Sequence, residues 1–301
     1  MQRWTLLLVV VLASQLGLAG VLWLGAGQAG PPKPEALLSL DQQAIKTIRI
    51  ASGPDDAGVE LKREDDGWQL PASDGFPAKQ RKAEDLARNL AGIEAGLPVA
   101  GSEAAFGRFN LRADQVERRI VINEGRSDSV TLLIGQSAGT NSVYARRSDG
   151  EAVQEIGFAS WQASPDPADW FATDRLQVPI TDVQAVKFNG FVLQKGDQGS
   201  WSLEGANPDG EVSNTKIKEF VAQLVQPTFD AVSKGGAPND RQPVAGYSVA
   251  TEDEEWRFDY YASDEPMVVR SGQDWRFQVS DEQLDAVTSA APERFVASTG
   301  E

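Results

Sequence analysis

The sequence predicts an α+β protein. One membrane helix at the amino terminus is followed by a short stalk and two related modules, each a mainly antiparallel sheet with one packed helix. Three observations predict it. Residues Trp4 to Leu24 carry no charge. Downstream, apolar and polar residues alternate in short runs, the pattern of half-buried antiparallel strands. The order of those runs, with one amphipathic helix among them, occurs twice with a period of about 130 residues, too long for a solenoid repeat.

The uncharged run is 21 residues long, and about 20 helical residues cross the ~30 Å of bilayer hydrocarbon. Arg3 precedes it, and beyond it Lys33 is offset by Glu35. The positive-inside tendency then puts the amino terminus in the cytoplasm and the body outside. A cleaved signal peptide is the rival; its apolar core is shorter, and Gly27-Gln28-Ala29 is a poor cleavage match. The chain has no cysteine, so a lipid-anchored lipoprotein is excluded and no disulfide contributes to stability. Ala13, Gly17 and Gly20 fall at i, i+4 and i+7, one small-residue face on which a partner helix can approach closely.

The predicted segments are residues 1–25 (anchor), 26–36 (Gly/Pro-rich linker), 37–176 (first module) and 177–301 (second module). In the first module Ile45, Ile48 and Ile50 mark a strand, followed by Val59–Arg63, a turn at Asp65-Asp66-Gly67, and Trp68-Gln69-Leu70. A helix is expected over about Lys79–Ala95, with Leu86, Leu90 and Ile93 on one face. Ile120–Ile122, Val130–Ile134 and Val143–Arg146 are three further strands, and Glu155-Ile156 closes the unit. The second module answers with Val183, Val186 and Phe188, then Phe191–Lys195, then Trp201-Ser202-Leu203. A helix over Ser213–Val225 follows, then Trp256–Tyr260, Met267–Arg270 and Gln278-Val279. Trp68 and Trp201 hold the same repeat position and are expected in the core.

Two copies of this layout behind an anchor and a Pro-rich stalk are carried by particular residues. They are Ile45, Ile48 and Ile50, Leu61-Lys62-Arg63, Gly67-Trp68-Gln69-Leu70, Phe109-Asn110-Leu111, Leu132-Leu133-Ile134-Gly135 and Tyr144-Ala145-Arg146. The chain resembles the bacterial domain-of-unknown-function family number four-three-four-zero over nearly its whole length. Members of that family are often encoded beside membrane components of a gliding-motility-type ABC transporter. The resemblance therefore implies an accessory role in an envelope transport complex at the bacterial cytoplasmic membrane, with transporter permease subunits as partners.

The composition narrows the chemistry. With no histidine and no cysteine, the usual zinc sites, Cys–His nucleophiles and Ser–His–Asp triads have no residues to use. Gly135-Gln136-Ser137-Ala138-Gly139 matches a nucleophile elbow, but a strand rather than a helix is expected after it. Ser213-Asn214-Thr215-Lys216 matches Ser-x-x-Lys without its usual companions, and Ser213 serves more simply as a helix cap. Glu252-Asp253-Glu254-Glu255 is a dense acidic run without a full calcium-loop pattern. A net charge of −16 argues against nucleic acid and anionic lipid as partners. Trp161, Trp170, Trp256 and Trp275 are candidates for a contact platform. Trp161 and Trp170, in the connector between modules, are the better ones, with an inter-module seam as the alternative. Arg146 and its counterpart Arg270 are expected as ion-pair partners, with a ligand clamp as the alternative. No catalytic, cofactor or metal residue is assigned. The leading expectation is a non-catalytic, membrane-anchored, extracytoplasmic accessory subunit. A free-standing ligand-binding or scaffold module and a Ser–Lys or carboxylate hydrolase are the alternatives.

Overall fold

The computed structural model describes residues 36–53, 58–125 and 128–297. The expected anchor, the stalk up to Glu35 and the face of Ala13, Gly17 and Gly20 lie outside the described residues. Among the described residues no helix is long and apolar enough to cross a membrane.

The described chain is α+β, built on two antiparallel sheets with few helices. The first sheet holds β1 (Thr47–Ala51), β2 (Gly58–Glu64), β3 (Gly67–Leu70), β4 (Phe76–Pro77), β5 (Pro98–Ala100), β6 (Arg118–Asn123), β7 (Ser129–Gly139), β8 (Ser142–Arg147) and β9 (Val153–Ile156). Its spatial order is β4-β3-β2-β1-β6-β7-β8-β9-β5. The second holds β10 (Ala185–Lys187), β11 (Val192–Lys195), β12 (Trp201–Glu204), β13 (Ala231–Lys234), β14 (Ala245–Ala250), β15 (Glu255–Tyr261), β16 (Met267–Arg270) and β17 (Trp275–Gln278). Its order is β12-β11-β10-β14-β15-β16-β17-β13. Setting aside β4, the two orders are the same, strand for strand. The helices α1 (Gln80–Ala91) and α2 (Asn214–Val225) sit at the same point of each sequence of strands, and α3 (Asp281–Thr288) follows the second sheet.

Alternation places the apolar set of each central strand inward. In β1, Ile48 and Ile50 are buried while Arg49 is exposed, and they face Leu61 and Val59 of β2 and Ile122 and Ile120 of β6. A register slip of one residue would invert that set. Helix α1 buries Ala83, Leu86, Ala87 and Leu90. It stops at Ala91 rather than running on to Ala95, because Gly92 takes the capping position and donates its N–H back to Arg88 and Leu90. Ile93, expected on the helix, is buried beyond its end and accepts a bond from Leu37 N.

The tryptophan pair fixes each helix to its sheet. Trp68 lies under the Arg63 guanidinium, 4.7 Å from its ring centre, and its indole N–H donates to Glu84 Oε1 at 2.9 Å. The Gln80 side chain accepts from Trp68 N at 2.7 Å and donates to Trp68 O at 2.8 Å. A β-carbon at Gly67 would collide with that amide, so glycine is required there. In the second unit Asn214, at the corresponding start of α2, donates to Trp201 O at 2.9 Å.

The two sheets share one apolar core. Phe76 of the first unit is fully buried, with its ring edge-on to Trp275 (5.0 Å), Phe171 (5.6 Å), Phe277 (5.8 Å) and Phe229 (6.1 Å). Beside it Asp74 Oδ2 accepts from Lys234 N of β13 at 2.9 Å. A smaller cluster of Phe106, Phe109, Leu111, Val116, Leu133 and Val153 is separate from this core and belongs to the first sheet.

Two predictions follow from this packing. Trp68→Ala or Phe76→Ala should each cost about 3–5 kcal/mol, read from urea unfolding curves. Sub-kilocalorie effects would mean that these rings are not buried in solution. Burial also pushes the Tyr247 phenol well above its ordinary range and Tyr260 up to about 12. Both contributions are fully present below pH ~10 and fall away above it, because only the unfolded chain then sheds those protons. Two of the four tyrosines should therefore titrate, by phenolate absorbance, only together with alkaline unfolding.

Candidate docking cleft

Helix α1 is amphipathic: beside the face that enters the core, Lys79, Arg81, Lys82, Asp85 and Asn89 line a cleft of about 500 Å³ that reaches down to the buried Leu86. Its second wall is the connector between the sheets, at Trp161 and Gln162. The connector is held in place by backbone bonds. Lys79 N donates to Trp170 O at 2.7 Å, Ala172 N to Pro77 O at 3.0 Å, and Val178 N to Val225 O at 2.8 Å.

Two short 3₁₀ turns shape this wall. In the first, Ser160–Ala163, Ala163 is buried and Trp161 is turned outward, 73% exposed. In the second, Pro167–Trp170, Asp166 caps the start by accepting from Ala168 N at 2.9 Å. Trp170 is fully buried there, and its indole N–H donates to Ser164 O at 2.9 Å. The two connector tryptophans thus have different roles. Trp161 is available for contact. Trp170 is not, because the turn folds its ring into the core.

The cleft is basic in an acidic chain. Lys82 Nζ lies 4.3 Å over the Trp170 ring and donates to Asp169 O at 3.1 Å; Lys79 Nζ donates to the same oxygen at 3.2 Å. Burial pushes the Lys82 ammonium pKa down, the Asp169 carboxylate holds it up in part, and Lys79 lowers it further. The cleft offers an aromatic face, an aliphatic floor at Leu86 and converging cations. Its sequence signal is Lys79-Gln80-Arg81-Lys82, three cations in four residues of a chain with net charge −16.

The other candidates are structurally employed. Ser137 lies on β7 at a bulged end of its pairing with β8, and its hydroxyl donates to Gly139 O at 2.7 Å. A β-carbon at Gly135 would collide with Phe109 O, so that glycine serves packing. Ser213 caps α2, while Lys216 Nζ donates to Val296 O at 2.8 Å. Of the acidic run, Glu255 pairs with Lys187 at 2.6 Å. Among the described residues no group of three or more carboxylates is placed to hold a metal ion.

Arg146 and Arg270 depart from the expected ion pairs. Arg146 donates to the carbonyls of Leu111, Arg147, Ser148 and Gly150 and lies 4.0 Å over Phe106. Arg270 donates to Asp174 O and Arg175 O and lies 4.3 Å over Trp256. Both are nearly buried. Carbonyl oxygens and an aromatic face, not a carboxylate, receive each guanidinium.

A family model described as Domain of unknown function (DUF4340) matches residues 68–245, a stretch that contains the whole cleft. No curated protein and no solved structure matches the chain.

The exposures separate the two connector tryptophans experimentally. Trp170→Ala should cost about 3–5 kcal/mol in urea unfolding, whereas Trp161→Ala should stay within about 0.5 kcal/mol. Equal costs would place Trp161 in the core.

Proposed function

The chain belongs to the DUF4340 family of domains of unknown function, and from that premise we propose that it is a non-catalytic, membrane-anchored accessory subunit of an ABC-type envelope transport complex. Its body is the interaction module, exported and held at the membrane by the uncharged run Trp4–Leu24. The two sheets with one strand order are a duplicated unit, the first over residues 37–176 and the second over 177–301. The observation that carries this reading is Trp161, a large aromatic standing exposed against Leu86 and the cations of α1. Exposed tryptophan is typical of protein contact surfaces, where tryptophan and arginine supply much of the binding energy, and Arg81 lines the same cleft. The uncharged span with its face of Ala13, Gly17 and Gly20 supports a second contact, inside the membrane, with a permease subunit. There, close backbone approach and dispersion supply helix affinity, because lipid is as apolar as leucine.

Detergent co-purification of the full chain should recover transporter permease subunits. Replacing Gly17 and Gly20 with Leu should reduce that recovery while leaving membrane insertion intact. Trp161→Ala should weaken it as well, by roughly tenfold or more if the indole is a central anchor. Full recovery with an unrelated membrane helix and with Trp161→Ala would favour a free-standing envelope scaffold.

A further inference from the structure

The two sheets share one strand order, so β5 of the first and β13 of the second occupy the same place: each is the last strand, paired only with β9 or β17 respectively. Their surroundings differ. The β13 edge is covered by the first unit, where Asp74 accepts from Lys234 N and Phe76 lies against Trp275 and Phe277 of β17. At β5 the corresponding position faces outward. Leu97, immediately before the strand, is 89% exposed, and Val99 within it is 47% exposed.

Edge strands present unpaired backbone groups, and natural sheets ordinarily blunt them with charge, proline or a covering element. Pro98 removes one N–H, but the side chains on either side of it are apolar. The charges lie just beyond. Glu94 and Glu103 flank the strand in sequence, Glu155 stands on the neighbouring β9, and all three are exposed. Gly96 brings the backbone so close to Glu155 that a β-carbon there would collide with the Glu155 carbonyl. Acidic residues thus precede, follow and adjoin an apolar edge, and Glu103 among them also bears electrostatically on the Arg146 guanidinium.

A second copy stacked by the internal relation does not suit this edge. Where the first unit has Asp74-Gly75-Phe76 between its tryptophan strand and its helix, the second has Asp209-Gly210-Glu211. The Asp-Gly pair is kept, with positive φ at both glycines, but an exposed glutamate stands in place of the aromatic plug. Stacking would bring Glu211 against Leu97 and three carboxylates.

We propose that β5 is a docking edge for an extended segment of a partner protein in which apolar residues alternate with lysine or arginine. Its backbone adds to the sheet edge, its apolar side chains cover Leu97 and Val99, and its cations meet Glu94, Glu103 and Glu155. Strand addition of this kind draws affinity from main-chain bonds and specificity from alternate side chains. The surface is distinct from the Trp161 cleft and does not depend on it.

The test uses the full chain in detergent and two labelled hexapeptides, one alternating Lys with Val and one alternating Glu with Val, followed by fluorescence anisotropy. The Lys–Val peptide should bind, and the Glu–Val peptide should bind at least roughly tenfold more weakly. The double variant Leu97→Ser/Val99→Ser should weaken the Lys–Val peptide by a similar factor, with Val99→Thr as a milder check if melting shows the double variant to be unfolded. Glu155→Gln should weaken binding and flatten its salt dependence, and Trp161→Ala should leave it unchanged. Absence of binding, equal binding of both peptides, or indifference to the Leu97 and Val99 changes overturns the proposal. So does a concentration-dependent dimer in sedimentation that the double variant abolishes, since the occupant would then be a second copy.

Discussion

The structure depends on one aromatic ring. Phe76 belongs to a two-residue strand at the edge of the first sheet, yet its partners Phe229, Trp275 and Phe277 belong to the second unit and Phe171 to the connector. All four contacts are edge-on, with interplanar angles of 84–88°, the arrangement that aromatic quadrupoles favour. Each such pair contributes about 0.5–1.5 kcal/mol beyond its burial. The ring thereby closes the edge of the second sheet at the point where Asp74 accepts from Lys234 N. It also fixes Phe171, whose neighbours Trp170 and Ala172 bond to Lys79 and Pro77. The cleft wall that carries Trp161 hangs from this seam. The position of a surface feature is thus set by a buried one.

The two sheets share a second device, a buried arginine near the end of the strand next to the closing one. Arg146 on β8 and Arg270 on β16 each lie over an aromatic ring and donate to loop carbonyls. Burial pushes both guanidinium pKa values down, but arginine starts so high that each stays charged. A lysine would have one compact head and three donors where the fork of Arg146 reaches four carbonyls. These arginines tie irregular segments to regular ones: residues 111 and 147–150 in the first unit, and the connector at 174–175 in the second.

Much of this was legible in the sequence because it is periodic. Ile48 and Ile50, the paired Trp68 and Trp201, and the helices before Ala91 and Val225 all announce themselves by alternation or by 3.6-residue spacing. What escaped is what has no period. β4 and β5 are two and three residues long, each with a proline, and β14 is diluted by Ala245, Gly246 and Ala250. Trp161 and Trp170 look equivalent in sequence; only the two 3₁₀ turns turn one out and the other in. Phe76 looks like a loop aromatic, because a plug is defined by the surface it fills, and most of that surface lies more than 150 residues further on. The arginines failed differently. Their positions repeat visibly, but their partners are carbonyls, which sequence does not distinguish.

The cleft also breaks a local rule that the rest of the chain obeys. Helix α2 begins with Ser213 accepting from Lys216 N, and α3 begins with a full capping box at Ser280 and Gln283, followed by Asp281 and Glu282. Helix α1 begins with Lys79, has no side-chain cap and no acidic residue in its first turn, and adds Arg81 and Lys82. Cations at a helix amino terminus oppose the macrodipole, at a cost of about 0.3–1 kcal/mol each where exposed. The fold offsets that cost locally, with two ammonium groups on the Asp169 carbonyl and one over the Trp170 ring. Gln80 is explained by its bonds to Trp68, and Arg81 by a long ion pair to Asp85 at 4.0 Å, but neither requires Lys79 and Lys82 to be cations. A stability-driven sequence would place serine or aspartate at the start of α1, as it does at α2 and α3. Local choices that contradict their own element, while the surrounding ones agree, are expected at functional or strained sites. The helix start that faces Trp161 is such a place.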